Sequence, residues 1–193
     1  MPADTFFITG DVEADALLAS DPLALLLGML LDQQVPMEWA FASPAKLRDR
    51  LGGQLDATAI AGMDPADVEG AFRDRPALHR YPGSMAKRAY ELCQVIAEQY
   101  GGDTTAIWSD AATGDELLAR LKALPGFGVE KAKIFMAVLG KRLGVQPPGW
   151  EAAATPFSDT LRRSVADADS PEHLLEVRAF KQAQKAKGKG KAD

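Results

Sequence analysis

Leu124-Pro125-Gly126-Phe127-Gly128 separates two helical patterns. Upstream, Asp115 to Ala123 places Leu117, Leu118 and Leu121 on one helical face. Downstream, Val129 to Leu143 reads as a second helix whose middle, Ile134-Phe135-Met136-Ala137-Val138-Leu139, is wholly apolar. Pro125 stops the first helix, and Gly126 and Gly128 permit a tight reversal with bare backbone close to whatever docks there. A glycine loop feeding a helix N-terminus points unpaired N–H groups outward, which suits an anion such as phosphate. Lys131 and Lys133 follow at once. The same residues also fit an ordinary α-hairpin whose glycines only cap helices, so the surrounding chain has to decide.

That chain is helical in pattern. A capping Asp or Ser followed by proline marks helix starts at Asp21-Pro22, Ser43-Pro44, Asp64-Pro65 and Ser170-Pro171. Pro22–Leu31 is apolar on nearly all sides and predicts a central buried helix. Residues 83–100 carry Ala89, Leu92, Cys93, Ile96 and Ala97 on one face, and Gly101-Gly102-Asp103 ends that helix. Pro147-Pro148-Gly149 breaks the chain after the second hairpin helix, and residues 171–181 form a last helix. The only β-like run is Thr5-Phe6-Phe7-Ile8-Thr9. The fold class is all-α.

With 193 residues the chain suits one core or two small lobes, and its 47% hydrophobic content is that of a globular protein. No apolar run approaches the ~20 residues needed to span a bilayer, so no membrane role is expected. The start, Met1-Pro2-Ala3-Asp4, lacks the basic region of a secretory signal. One cysteine, Cys93, excludes an internal disulfide and any four-cysteine iron–sulfur cluster, and a reducing cytoplasm is the simplest location. The net charge is −5; residues 181–193 contribute +4, leaving −9 on residues 1–180. A body this acidic repels a polyanion unless positive potential gathers on one face. The Lys-rich end, residues 181–193, reads as a flexible, disordered arm that either touches phosphates or merely aids solubility.

Taken together, Leu124-Pro125-Gly126-Phe127-Gly128 with Lys131-Ala132, Ser84-Met85-Ala86-Lys87-Arg88-Ala89 and Leu30-Leu31-Asp32-Gln33-Gln34-Val35 resemble the helix-hairpin-helix DNA glycosylase superfamily, which includes endonuclease III and the alkyladenine glycosylases. The resemblance covers roughly residues 20 to 145, and residues 1–180 would form the domain. It implies two helical lobes, discontinuous in sequence, with the substrate cleft between them. Residues 30 to 125 would form the middle lobe, and the N-terminal segment with the part after 129 the other. The implied partner is double-stranded DNA. Gly126 and Gly128 would hold a phosphate, Lys131 would add charge, and Gln33 or Gln34 would wedge into the duplex. Family hairpins also hold a monovalent cation on backbone carbonyls, and no other cofactor is implied.

A glycosylase extrudes the base, fills the hole and stabilises an electron-poor sugar. Trp39, Phe41, Tyr81 and Trp150 are candidate pocket walls, Trp39 foremost, although aromatics in a helical protein also serve as core. His79-Arg80-Tyr81 reads as a surface turn able to touch a backbone phosphate. The family's Schiff-base lysine falls on Glu130 here, which argues against lyase chemistry. The family aspartate about twenty residues past the hairpin has no counterpart in Val145-Gln146-Pro147-Pro148-Gly149-Trp150. Asp159, or failing that Glu151, is the candidate catalytic carboxylate, and Asp159 equally fits a helix N-cap. His79 and His173 lack metal-pair spacing. Three functions remain open: a monofunctional N-glycosylase of base-excision repair, a non-catalytic sensor of damaged or bent DNA, and a protein-interaction module reusing the hairpin.

Overall fold

The computed structural model describes residues 6–190. Among these, helix is the only regular structure. The α-helices run α1 Val12–Ser20, α2 Pro22–Leu31, α3 Met37–Arg50, α4 Ala57–Ala61, α5 Pro65–Arg73, α6 Pro82–Gln99, α7 Gly114–Ala123, α8 Val129–Arg142, α9 Trp150–Ala153 and α10 Pro171–Ala186. Short 3-10 helices cover Thr104–Ile107 and Val165–Asp167. The chain is therefore all-α. In the β-like run near the start, Phe6 and Ile8 form no strand and are buried instead. Among the described residues no single helix is long and apolar enough to cross a membrane; α1 and α2 pass that test only as a pair bent by 114°.

Two compact units divide the chain, each discontinuous in sequence. A middle unit holds residues 9–107 and 124–126; a terminal unit holds residues 6–8, 108–123 and 127–190. This differs from the expected lobe boundaries at both ends. Helices α1 and α2 pack on α3 and belong to the middle unit, while α7 packs on α8 and α9 and belongs to the terminal unit.

In the middle unit, α2 is wrapped on all sides: every residue from Leu23 to Leu31 is buried. Asp21 caps it, accepting from the N–H of Leu23 and Ala24 at 2.9 and 3.1 Å, with Pro22 at the position that needs no N–H. Gly28 lets α3 approach closely; a Cβ there would lie 2.5 Å from Phe41 Cδ1. Helix α6 buries Met85, Ala86, Ala89, Leu92, Cys93 and Ile96, packing on α4 and α5. Burial, with a smaller push from the Asp56 charge, raises the Cys93 thiol to about 12, so it behaves as an apolar core group.

The Ser43-Pro44 pair does not start a helix. Met37 to Ala42 is helix-compatible and follows Pro36, so α3 begins at Met37 and absorbs the pair. Ser43 is buried, its Oγ 2.8 Å from the Trp39 carbonyl and 2.7 Å from that of Leu78. The hydroxyl thus lies between a carbonyl of its own helix and one of the Leu78 segment.

In the terminal unit, Gly114 and Gly140 make room for Trp150. A Cβ on Gly140 would fall 2.4 Å from the indole, and one on Gly114 2.6 Å from the backbone of Gly149 and Trp150. Trp108 and Phe127 meet Phe135 edge-on, with centroids 5.8 and 6.0 Å apart. Helix α8 also packs on the 3-10 helix Val165–Asp167. There the buried Asp167 carboxylate accepts from Lys141 Nζ at 2.6 Å and from the N–H of Ser164 and Arg163 at 3.0 and 3.2 Å. Helix α10 continues to Ala186 because its inner face still packs: Gln184 is buried, and its carbonyl accepts from the Lys189 N–H at 2.9 Å. Lys181 and Lys185 are therefore helical residues rather than part of a disordered arm; Lys191 lies outside the described residues.

Candidate nucleic-acid interface

The two hairpin glycines serve different needs. Gly126 has φ +80°, and a Cβ there would sit 2.4 Å from Leu30 Cδ1 and 3.6 Å from Arg88 Cδ. Backbone and packing both demand glycine. Gly126→Ala is expected to lower stability by roughly 2–4 kcal/mol, combining a left-handed alanine with overpacking against buried Leu30, as read by urea denaturation. An unchanged midpoint would refute that packing account. Arg88 makes no hydrogen bond or ion pair among the described residues, so a free guanidinium lies beside exposed Gly126.

Gly128 is another matter. Its φ is −79° and ψ 176°, open to any residue, and nothing lies within 4 Å of where a Cβ would stand. It occupies the N-cap of α8 and supplies no side-chain cap. The first cross-turn bond is Ala132 N–H to the Gly128 carbonyl at 2.9 Å, so the N–H groups of Val129 and Glu130 stay open. Neither backbone conformation nor packing requires glycine here. Glu130, where the resemblance would place a lyase lysine, is exposed. Lys131 does not extend into open solvent: it is half-buried, with Nζ 5.9 Å from the Phe127 ring centroid.

In the middle unit, α2 ends at Asp32, and Gln33 and Gln34 part company. Gln33 is tied down, its Nε2 3.0 Å from Met85 Sδ. Gln34 is exposed, with φ +56°, the only non-glycine residue at positive φ among the described residues. Such a backbone costs of order 1–3 kcal/mol and persists only where neighbours hold it. His79 does that holding. It is buried, contrary to the surface-turn expectation. The Gln33 carbonyl, 3.0 Å from Nε2, can only accept, and the Tyr81 N–H, 3.0 Å from Nδ1, can only donate. The proton therefore sits on Nε2, and the ring bonds the Gln33–Gln34 turn to the Tyr81 loop.

Around His79 stand the two candidate pocket aromatics. Trp39 lies 6.5 Å from it and Tyr81 6.1 Å, centroid to centroid. Trp39 is half-buried and donates from Nε1 to the Ala77 carbonyl at 3.2 Å, which fixes its ring. Tyr81 is 45% exposed, with the Arg80 guanidinium 5.4 Å from its centroid. Phe41 is a core residue instead, beneath Gly28, and the half-buried Trp150 packs against Gly140.

Both carboxylate candidates belong to the terminal unit. Asp159 begins no helix. Its Oδ1 accepts from the Leu161 N–H at 3.1 Å in a tight turn, and Oδ2 meets Arg163 at 2.7 Å. It lines a cavity of about 360 Å³ with Lys141, Arg142, Arg162 and Asp169. Glu151 is exposed on α9; its carbonyl accepts from Ser158 and Thr155 hydroxyls at 2.7 and 3.1 Å, and its carboxylate has no partner among the described residues. Asp169 on that wall belongs to a pair that sequence reasoning missed. His173 Nδ1 bonds the Asp169 carboxylate, and His173 Nε2 lies 3.1 Å from Arg162. Burial pushes the Asp169 carboxyl up, but the hydrogen bond and charge of His173, then Arg162 and Arg142, outweigh it and hold the group below the usual range. The i,i+4 spacing of Asp169 and His173 was the available signal. Among the described residues, no three His, Cys, Asp or Glu side chains gather as metal ligands. No protein-family model matches the chain and no curated protein matches it, so this interface rests on its own geometry.

Proposed function

We propose that the chain is a helix-hairpin-helix glycosylase-like protein that binds duplex DNA and removes a damaged base by hydrolysing its N-glycosyl bond, as in base-excision repair. The observation that carries this reading is Gly128: a glycine the fold does not require, at an open, uncapped N-terminus of a 14-residue helix. A phosphate oxygen accepts from the N–H groups there and gains from the helix dipole. Any monovalent cation would sit on hairpin carbonyls.

In the middle unit, Gln34 is the wedge, because it is exposed on a held, strained turn while Gln33 is engaged by Met85. Tyr81 and Trp39 supply stacking surface. In the terminal unit, Asp159 stabilises oxocarbenium-like charge or orients water, with Arg163 fixing its position. The engagement of Asp159 by Arg163 and the Leu161 N–H also favours a second reading, a non-catalytic sensor of damaged DNA. Duplex binding with a steep salt dependence supports both readings over a protein-interaction module. Release of free base selects the enzyme, and salt-independent or absent duplex binding rejects both.

The Lys-rich end adds sequence-independent contacts in this reading. Because Gln184 is packed, the informative truncation removes residues 187–193, deleting Lys187, Lys189 and Lys191. The slope of log K against log salt is expected to fall by up to about 2.7, at ~0.9 per phosphate contact. An unchanged slope shows that these lysines do not touch DNA.

A further inference from the structure

All lysines and arginines of the middle unit fall in two stretches, residues 46–50 and 73–88. Lys46 of the first and Arg73 and Arg75 of the second meet in a groove of about 680 Å³, lined also by Trp39 and Pro82, with no carboxylate on its wall. Lys46 and Arg75 are exposed and make no ion pair or hydrogen bond among the described residues. Arg73 pairs with Glu69 at 2.5 Å and lies across the first turn of α6, where a Cβ on Gly83 would be 2.7 Å from its NH2. Glycine at position 83 is what lets that guanidinium lie so close. With Arg73 offset by Glu69, the two unpaired cations Lys46 and Arg75 give this concavity positive charge on a chain of net charge −5, which favours an anion.

The groove is larger than a lone phosphate needs, and one of its walls is aromatic. Trp39 is held by its bond to the Ala77 carbonyl, so its ring is pre-oriented. A flat ring carrying a phosphate fits both features. We infer that this groove binds a nucleotide unit of single-stranded nucleic acid, with the base against Trp39 and the phosphates on Lys46 and Arg75, while Arg73 closes the α6 side. The inference extends the DNA-binding reading to an unpaired strand and does not use the hairpin.

The test uses the full chain and a 3′-fluorescein-labelled tetrathymidylate, read by anisotropy at 50 mM salt. A second probe has the same phosphates but abasic sugars. Expected results are binding of the tetrathymidylate at least fivefold tighter than the abasic probe, since stacking is worth ~1–3 kcal/mol per base. Lys46→Glu with Arg75→Glu should weaken binding tenfold or more and lower the salt slope by about 1.4, at ~0.7 per single-strand phosphate. Both residues are exposed, so the double variant should fold, which circular dichroism checks. Trp39→Phe should reduce the preference for thymidine over the abasic probe while keeping the salt slope. Equal binding of the two probes, or displacement by pyrophosphate at matched concentration, reduces the groove to a general anion patch and overturns the inference. Parent-like binding by the charge-reversed variant overturns it as well. Because Gly128 lies outside the groove, a parent protein that binds duplex but not the tetrathymidylate rejects this inference alone.

Discussion

Gly128→Asp is expected to remove most duplex binding while leaving the protein folded. The two halves of that result have separate causes. Position 128 has extended backbone and empty space around a Cβ, so an aspartate enters without strain. It also becomes a good N-cap for α8, whose Val129 and Glu130 N–H groups are open; the change in stability from glycine should be only a few tenths of a kcal/mol. The same carboxylate would take the Glu130 N–H, as an N-cap side chain does, and set a negative charge where a phosphate is proposed to dock, beside the exposed Glu130 side chain. Affinity should fall about 10- to 100-fold, equivalent to ~1.4–2.8 kcal/mol, and the salt slope by about 0.9. Gly128→Ala separates charge from shape: it fits the same space and should cost much less. Fluorescence anisotropy with a 20-mer duplex across a salt series, alongside thermal melts, reads both quantities. A folded Gly128→Asp protein that binds duplex like the parent means the hairpin is structural only.

Gly126 and Gly128 also mark how far the sequence could be read. Pro-Gly-x-Gly announced a turn between helices, and the turn is there. Which glycine the fold itself requires was hidden, because that depends on φ and on Leu30, nearly a hundred residues away in sequence. Helix α2 was legible because its apolar run and its Asp-Pro start are local signals. Ser43-Pro44 carried the same local signal and misled, since the helix is already under way from Met37 and carries Pro44 inside it. His79 looked like part of a surface turn because its partner, the Gln33 carbonyl, is 46 residues away. The choice of Gln34 over Gln33 and of Tyr81 over Trp150 likewise follows from exposure, and the cationic groove from two basic stretches brought together by tertiary packing. What sequence reasoning supplied was residue type and local pattern; what it lacked was long-range pairing.

Asp159→Asn is expected to slow base release by about 10²- to 10⁴-fold, the usual scale for a positioned acid–base or charge-stabilising group. The substitution keeps size and the acceptor for the Leu161 N–H, but it loses the charge paired with Arg163 at 2.7 Å. Its role would be to offset positive charge building on the sugar, which a neutral amide cannot do. Duplex affinity should stay within a few-fold, because Asp159 contributes no positive charge to DNA binding. Glu151→Gln is the matched control: an exposed carboxylate without a partner should leave base release nearly unchanged. Single-turnover release of free base from duplexes carrying alkylated, deaminated or oxidised bases reads the rate. The product should retain an intact abasic site, and borohydride should trap no covalent adduct, since in the proposed reading Glu130 stands where a lyase lysine would. A trapped adduct overturns the monofunctional assignment. Full activity in Asp159→Asn with loss in Glu151→Gln transfers the role to Glu151. If the parent releases no base from any of these duplexes yet binds them with steep salt dependence, the carboxylate held by Arg163 is structural and the sensor reading replaces the enzyme.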